Sequence, residues 1–123
     1  EKAKNNIEFK GYLFPDKSKI YLQKAKAFVF CGEEDFGIAL LEPQVCGTPV
    51  IAYAGGGALD TVKENITGIL FEEQSIESLS KAISRFETIN FDFDLIRRHS
   101  LNFSVDRFKE KFYQNVNEAL KLN

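Results

Sequence analysis

The sequence predicts an α/β fold in which a parallel sheet carries helices on both faces. Short apolar runs alternate along the chain with segments of helical periodicity, and glycine and proline lie at the joins. Such an alternation is typical of right-handed crossovers between parallel strands. The 123 residues make one domain's worth of chain, and neither a linker nor a repeat divides them.

Four segments are predicted to be strands. Ala27–Phe30 is continuously apolar, which is typical of a strand buried on both faces of a parallel sheet. Ile7–Tyr12 alternates apolar and polar residues and ends beside a turn. Val50–Ala54 and Ile69–Phe71 are apolar runs next to glycines and complete the set.

Helices are predicted between the strands from their caps and stops. Asp16 or Ser18 is expected to cap the first one. A helix of about ten residues is expected to end at Cys46, with Gly47 as a left-handed residue after it. Pro43 lies within this helix and predicts either a bend or a late start that places the proline in the first turns.

The C-terminal half is predicted to be mostly helical. Leu59–Glu64 and Leu95–His99 are expected to be short helices, and Ser75 to cap a longer one. Ser104 is expected to cap a final amphipathic helix that is buried through its apolar face. That face consists of Val105, Phe108, Phe112, Val116 and Leu120.

Composition argues against several classes of protein. Acidic and basic residues are intermixed and the net charge is −2, which gives no electrostatic basis for nucleic-acid binding. No apolar run reaches the roughly 18 residues of a membrane span. Cys31 and Cys46 are expected to be reduced and buried, and a single histidine argues against a zinc site.

The candidate site is expected where strands end. In an open parallel sheet, ligands bind outside the carboxyl ends of the strands. This edge collects the loop after Tyr12, the loop Cys31–Gly37 and the turn Gly55–Gly57.

A helix that opens at a glycine presents its backbone amides to an anion, and the helix dipole adds a favourable field. The amides of Phe36, Gly37 and Ile38 are therefore candidate donors to a phosphate. Glu42, inside the helix, can accept from a diol such as a ribose, while Glu34 would face the group beyond the phosphate. This arrangement fits a sugar nucleotide.

Simpler interpretations of these residues remain open. Glu33–Asp35 is equally typical of a solvated acidic loop, and Glu42 of the polar face of a helix. Three glycines after a strand are also typical of a flexible turn. A divalent-metal site in the acidic run would lack the alternating ligands of a calcium loop.

Three segments in this region also occur in a known family: EEDFGIALLE, PQVCGTPVIAYAGGGALDTV and TGILF. They resemble the retaining GT-B glycosyltransferases of the large family-four group, whose E-x7-E motif corresponds to Glu34–Glu42. The EEDFG form and the closing IRRHSLNFSVDRFKEKF resemble especially the bacterial mannosyltransferases that use GDP-mannose.

The resemblance implies that residues 1–123 are a partial C-terminal domain with a Rossmann-like sheet. The parent protein would transfer a hexose, mannose from GDP-mannose, to a glycan or lipid-linked acceptor with retention, using no metal or further cofactor. We expect it to be cytoplasmic, either free or peripheral at the inner face of the cell membrane. The N-terminal domain and the strands between Ile7–Tyr12 and Ala27–Phe30 would lie outside this chain, which also lacks Met. We therefore expect a fragment that is inactive alone.

The resemblance also implies roles for individual residues. Glu34 would be the catalytic residue that contacts the donor hexose, and Glu42 would hold the ribose hydroxyls. Asp60 stands where the family commonly has glutamate, and its shorter side chain puts that contact in doubt. The remaining donor-binding positions are Phe36, Gly37, Ile38, Gly56 and Gly57.

Two other functions are compatible with the sequence. The chain could be a non-catalytic module that binds nucleotide sugars or supports assembly, because the basic residues that neutralise the diphosphate in the family are missing from it. A sugar-nucleotide epimerase of the same architecture is the other alternative, and the EEDFG segment argues against it.

Overall fold

The computed structural model describes residues 4–121, which contain a three-stranded parallel sheet. The strands lie side by side in the order in which they occur along the chain, and their register sets Phe28 beside Val50 and Val50 beside Gly68. The parallel α/β class predicted from the sequence is confirmed. The strands are β1 (Phe28–Phe30), β2 (Val50–Tyr53) and β3 (Gly68–Phe71).

Helices connect the strands and follow them. Ser75 caps the helix Ile76–Phe86, α4, by accepting a 3.1 Å hydrogen bond from the amide of Ser78, as predicted. Asp92 caps the helix Phe93–Ser100, α5, which is longer than predicted, by accepting from the amides of Asp94 and Leu95. The helices are α1 (Pro15–Lys24), α2 (Ile38–Val45), α3 (Ala58–Thr61), α4 (Ile76–Phe86), α5 (Phe93–Ser100) and α6 (Val105–Lys121), with a 3-10 turn at Leu101–Phe103.

The sheet separates two apolar clusters, so helices cover both of its faces as predicted. Successive side chains of a strand point to opposite faces, and β2 supplies both clusters. Val50 and Ala52 pack with Leu40 of α2 and with α3. Ile51 packs with Ala82 of α4 on the other face. The central strand therefore takes part in the packing on both faces, while β3 adds Ile69 and Phe71 to the cluster under α4.

The end of α2 follows its sequence signals. Gly47 adopts φ 80°, and its amide bonds to the carbonyl of Gln44 at 2.9 Å. The amide of Thr48 bonds to the carbonyl of Pro43 at 2.9 Å. These two bonds take up carbonyl groups that the last helical turn leaves free. At 8 residues α2 is shorter than the ten expected, and Pro43 lies in its second turn.

One predicted strand does not form, and one predicted helix ends earlier than expected. Residues 7–12 form no strand, and Phe9 is 79% exposed. A strand needs a neighbour for its backbone hydrogen bonds, and the described sheet ends at β1. The helix predicted at Leu59–Glu64 ends at Thr61, because Glu64 turns to form a bridge with Gly68 at the start of β3.

Burial at β1 also differs from the prediction. Val29 is 44% exposed, so β1 is not buried on both faces. This strand lies at an edge of the described sheet, where α4 covers Ile51 and Ile69 rather than Val29. Cys31, which follows β1, is exposed, and Cys46 is half-buried, so neither cysteine is the buried residue expected.

The final helix forms as predicted, but its apolar face is not buried. Ser104 Oγ accepts from the amide of Arg107 at 3.3 Å at the start of α6. Phe108 is 67% exposed, and no described residue of α6 is buried. This helix continues from the 3-10 turn and leaves its apolar face in solvent. Over residues 4–121, none of the helices is long and apolar enough to cross a membrane.

Candidate functional site

The acidic loop after β1 meets the glycine turn after β2. Since β1 and β2 are parallel neighbours, their carboxyl ends lie at the same edge of the sheet. The amide of Gly57 donates a 2.6 Å hydrogen bond to the carbonyl of Glu34. The structure therefore brings together the two segments that the sequence singled out.

Close backbone contact requires glycine in this turn. A β-carbon at Gly57 would overlap the carbonyl group of Phe36, and one at Gly56 would overlap the carbonyl oxygen of Glu34. Gly56 also adopts φ 54°, a conformation that side chains disfavour. The turn is thus packed against the acidic loop, unlike a turn whose glycines serve only flexibility.

The start of α2 is open to an anion. Gly37 is its N-cap, with φ 86° and ψ 33°, and no side chain caps the helix. The next residue, Ile38, is 60% exposed, and Phe36 before the cap is 59% exposed. Helix N-terminal amides carry partial positive charge and attract anions. Gly37 itself is buried against Gly57 and Thr61, so Phe36 and Ile38 are the positions at which an anion can approach this helix start from solvent.

The acidic loop carries three exposed carboxylates. Glu33, Glu34 and Asp35 are exposed. The side chain of Glu33 lies over the turn, since a β-carbon at Gly56 would stand 3.2 Å from its Cγ. Among the ion pairs between residues 4–121, none involves these three side chains. They remain free to accept hydrogen bonds from hydroxyl groups.

Glu42 lines a different feature, a cleft between α1 and α2 that extends to Val45 and Cys46 at the end of α2. The cleft has a volume of about 500 Å³, a size typical of small-molecule pockets. Glu34 is not among the described residues that line it. Thr48 Oγ1 donates to the carbonyl of Leu22 at 2.5 Å, which fixes α1 to the turn after α2. The lining residues are Tyr12, Leu13, Pro15, Ser18, Lys19, Leu22, Glu42, Val45 and Cys46.

Two residues that sequence reasoning missed also belong to this edge. Thr61 of α3 is 1% exposed, and its hydroxyl donates to the carbonyl of Gly57 at 2.9 Å. Gln74 Nε2 donates to the carbonyl of Cys31 at 2.8 Å, and so joins the turn after β3 to the end of β1. Thr61 lies within the segment PQVCGTPVIAYAGGGALDTV, but its residue type gave no sign of this bond, and Gln74 belongs to no motif.

The arrangement supplies carboxylates for hydroxyl groups and amides for an anion. Within residues 4–121, no group of three His, Cys, Asp or Glu residues could hold a metal ion. Lys19 contributes a cationic side chain to the cleft wall. The site can therefore bind a ligand that combines an anionic group with several hydroxyls.

Comparisons with known proteins show to which family this chain belongs. The profile of the family "Glycosyl transferases group 1" matches residues 1–102. A D-inositol 3-phosphate glycosyltransferase of Salinispora arenicola is 34% identical over 71% of this chain and 20% of its own length. The human alpha-1,3/1,6-mannosyltransferase ALG2 is 32% identical over 87% of this chain and 27% of its own. The chain thus spans only about a fifth to a quarter of these relatives.

A solved structure shows the same architecture. The sucrose-phosphate synthase of Thermosynechococcus elongatus superimposes with a TM-score of 0.60 and 28% identity, over 85% of this chain and 28% of that one. The residues that match the family profile, 1–102, include the whole sheet, the acidic loop and the glycine turn. The chain therefore belongs to the group 1 family of glycosyl transferases.

Proposed function

We propose that the complete protein transfers a hexose from a nucleotide sugar, mannose from GDP-mannose, to a glycan or lipid-linked acceptor with retention at the anomeric carbon. One observation carries the proposal. The acidic loop and the glycine turn meet through the hydrogen bond from Gly57 to Glu34, beside the open start of α2. The similarity of the chain to a mannosyltransferase supports mannose as the hexose.

The donor is proposed to lie across three parts of this edge. Its nucleoside occupies the cleft that Glu42 lines, where the carboxylate accepts from the ribose hydroxyls. Its diphosphate lies against the amides of Phe36, Gly37 and Ile38, at the uncapped start of α2. Its hexose lies toward Glu34, which accepts from the sugar hydroxyls. Gly56 and Gly57 pack closely against the backbone of the acidic loop.

The proposed chemistry is cleavage of the bond between the anomeric carbon and the diphosphate oxygen. The bonding electrons leave with the diphosphate, the acceptor hydroxyl attacks from the same face, and its proton passes to the oxygen of the leaving diphosphate. Charge that develops on the leaving diphosphate is stabilised by amides already oriented at the helix start. Glu34 contributes by holding the hexose so that its anomeric carbon faces the acceptor.

A diphosphate also requires cationic side chains, and this edge is rich in carboxylates instead. Since the chain spans 20% of one relative and 27% of another, we propose that the remaining part of the complete protein supplies these cations and the acceptor site. The same scarcity of positive charge favours the alternative, a non-catalytic module that binds nucleotide sugars without transferring them. An assay of sugar transfer to an acceptor distinguishes the enzyme from the non-catalytic module.

The test is a calorimetric titration of GDP-mannose and of UDP-glucose into the complete protein. We expect GDP-mannose to bind more tightly, and Glu34→Ala or Glu42→Ala to weaken binding by roughly ten- to a hundredfold through loss of charged hydrogen bonds. Glu87→Ala is the matched control, an exposed carboxylate after α4. Binding of neither nucleotide sugar, or unchanged affinity in both variants, would contradict the proposal.

A further inference from the structure

One contact joins the C-terminal helices to α3, the helix that follows the glycine turn. His99 of α5 lies with its Nε2 3.0 Å from the carbonyl oxygen of Thr61, at the end of α3. A carbonyl oxygen only accepts hydrogen bonds, so Nε2 must carry the proton and donate. The ring also packs edge-on against Phe103, at a centroid distance of 5.5 Å and an angle of 69°. The contact therefore joins α5 to α3, the short helix that carries Asp60.

Thr61 transmits this contact toward the acidic loop. Its hydroxyl donates to the carbonyl of Gly57 at 2.9 Å, and the amide of Gly57 donates to the carbonyl of Glu34 at 2.6 Å. A β-carbon at Gly37 would lie 3.1 Å from Thr61 Oγ1. A series of hydrogen bonds therefore connects His99 to the acidic loop through Thr61 and Gly57. Thr61, in the middle of this series, is only 1% exposed.

The helix that carries His99 also contacts α2. Arg97 Nη2 reaches the carbonyl of Cys46 at 3.5 Å, and a β-carbon at Gly47 would stand 2.9 Å from the same nitrogen. Consequently α5 touches the C-terminal ends of both helices whose first turns face the site. Movement of α5 relative to the sheet would displace α2 and α3 together.

The geometry points to His99 as a positioning residue: its hydrogen bond to Thr61 sets the place of α3 and thereby the place of the loop that carries Glu34. The inference rests on the proposed function as far as donor binding is concerned. His99 itself touches no donor atom in this scheme. Its effect arises because packed groups shift as units rather than deforming continuously.

The experiment compares three variants of the complete protein. His99→Ala removes the donor to Thr61, while His99→Gln keeps an N–H that can reach the same carbonyl. Arg98→Ala is the control, an exposed neighbour on α5 whose Nε donates at 3.4 Å to Asp94 of its own helix. Two quantities are measured: affinity for GDP-mannose, and the hydrogen-exchange protection of the Gly57 amide.

We expect His99→Ala to weaken GDP-mannose binding by roughly five- to tenfold, the effect of one hydrogen bond, and to reduce Gly57 protection. His99→Gln should restore most of both, and Arg98→Ala should change neither. Equal losses in His99→Ala and His99→Gln, or unchanged protection in His99→Ala, would overturn the inference. If the unmodified protein binds no nucleotide sugar, the proposed function fails, and the protection of the Gly57 amide still decides the role of His99.

Discussion

The amide of Gly57 and the carbonyl of Glu34 are joined by a 2.6 Å hydrogen bond, which couples the turn after β2 to the loop after β1. The bond fixes backbone, not side chain, so the carboxylate of Glu34 stays exposed. The direction of the Glu34 side chain depends on the position of Gly57, whose carbonyl accepts a hydrogen bond from the hydroxyl of Thr61. A change at Gly57 should therefore affect residues on both segments.

Substitution of Gly57 by alanine is expected to be costly. The added methyl group would overlap the backbone of Phe36 and Gly37, neither of which is the flexible end of a side chain. We expect the free energy of unfolding to fall by about 2 kcal/mol or more, together with a loss of nucleotide-sugar binding. Urea unfolding and calorimetric titration measure the two effects.

The matched control for this change is Gly32→Ala. Its β-carbon would stand 3.1 Å from Cζ of Phe30, a side chain that can rotate away. A small effect on stability is expected. Equal losses of stability at Gly32 and Gly57 would show that the backbone contact with the acidic loop is not what makes glycine necessary.

Filling the cleft between α1 and α2 should block the nucleotide. Val45 lines this cleft and is 56% exposed, so Val45→Trp adds bulk there without entering the core. We expect binding of GDP-mannose to fall by at least about tenfold, while the unfolding free energy changes by less than roughly 0.5 kcal/mol. Ile76→Trp, at an 86% exposed position on α4, is the control. Undiminished binding in Val45→Trp would place the nucleoside elsewhere.

Leu40 tests whether α2 is anchored to the sheet as the clusters indicate. It is 1% exposed and packs with Val50, Ala52 and Ala58. Leu40→Ala leaves a cavity and should lower the unfolding free energy by about 2–5 kcal/mol. Ile76→Ala should change it by less than roughly 0.5 kcal/mol. Comparable losses in the two variants, measured by urea unfolding, would contradict the assignment of this core.

Local signals account for most of the fold that could be predicted. Ser75 before an apolar periodic segment and Gly47 before a proline act through neighbouring backbone groups, and both behave as expected. Burial is not a local property. The apolar run at β1 could not reveal that Val29 would lie at an uncovered edge. The alternation in Ile7–Tyr12 likewise predicts a strand, although the family resemblance places its neighbouring strands outside this chain.

The candidate site shows the same division. In a parallel sheet, ligands bind at the carboxyl ends of the strands, and this rule predicts from the sequence alone that Glu34 and Gly57 lie at one edge. The bond between His99 and Thr61 spans 38 residues of chain and joins two helices through a backbone carbonyl. No pattern of residue types predicts such a contact, because any residue offers that acceptor.

The last helix provides a test of how far amphipathic spacing indicates burial. Phe108 and Phe112 stack within α6 at a centroid distance of 6.0 Å and are 67% and 55% exposed. Changing both to alanine removes a pair of helix neighbours, which stabilise a helix by about 0.2–0.5 kcal/mol, but opens no cavity. We therefore expect the unfolding free energy of this 123-residue chain to fall by less than about 1 kcal/mol, far less than for Leu40→Ala. A loss of several kcal/mol in urea unfolding would mean that the apolar face of α6 is buried after all, since only a buried aromatic side chain stabilises a fold that strongly.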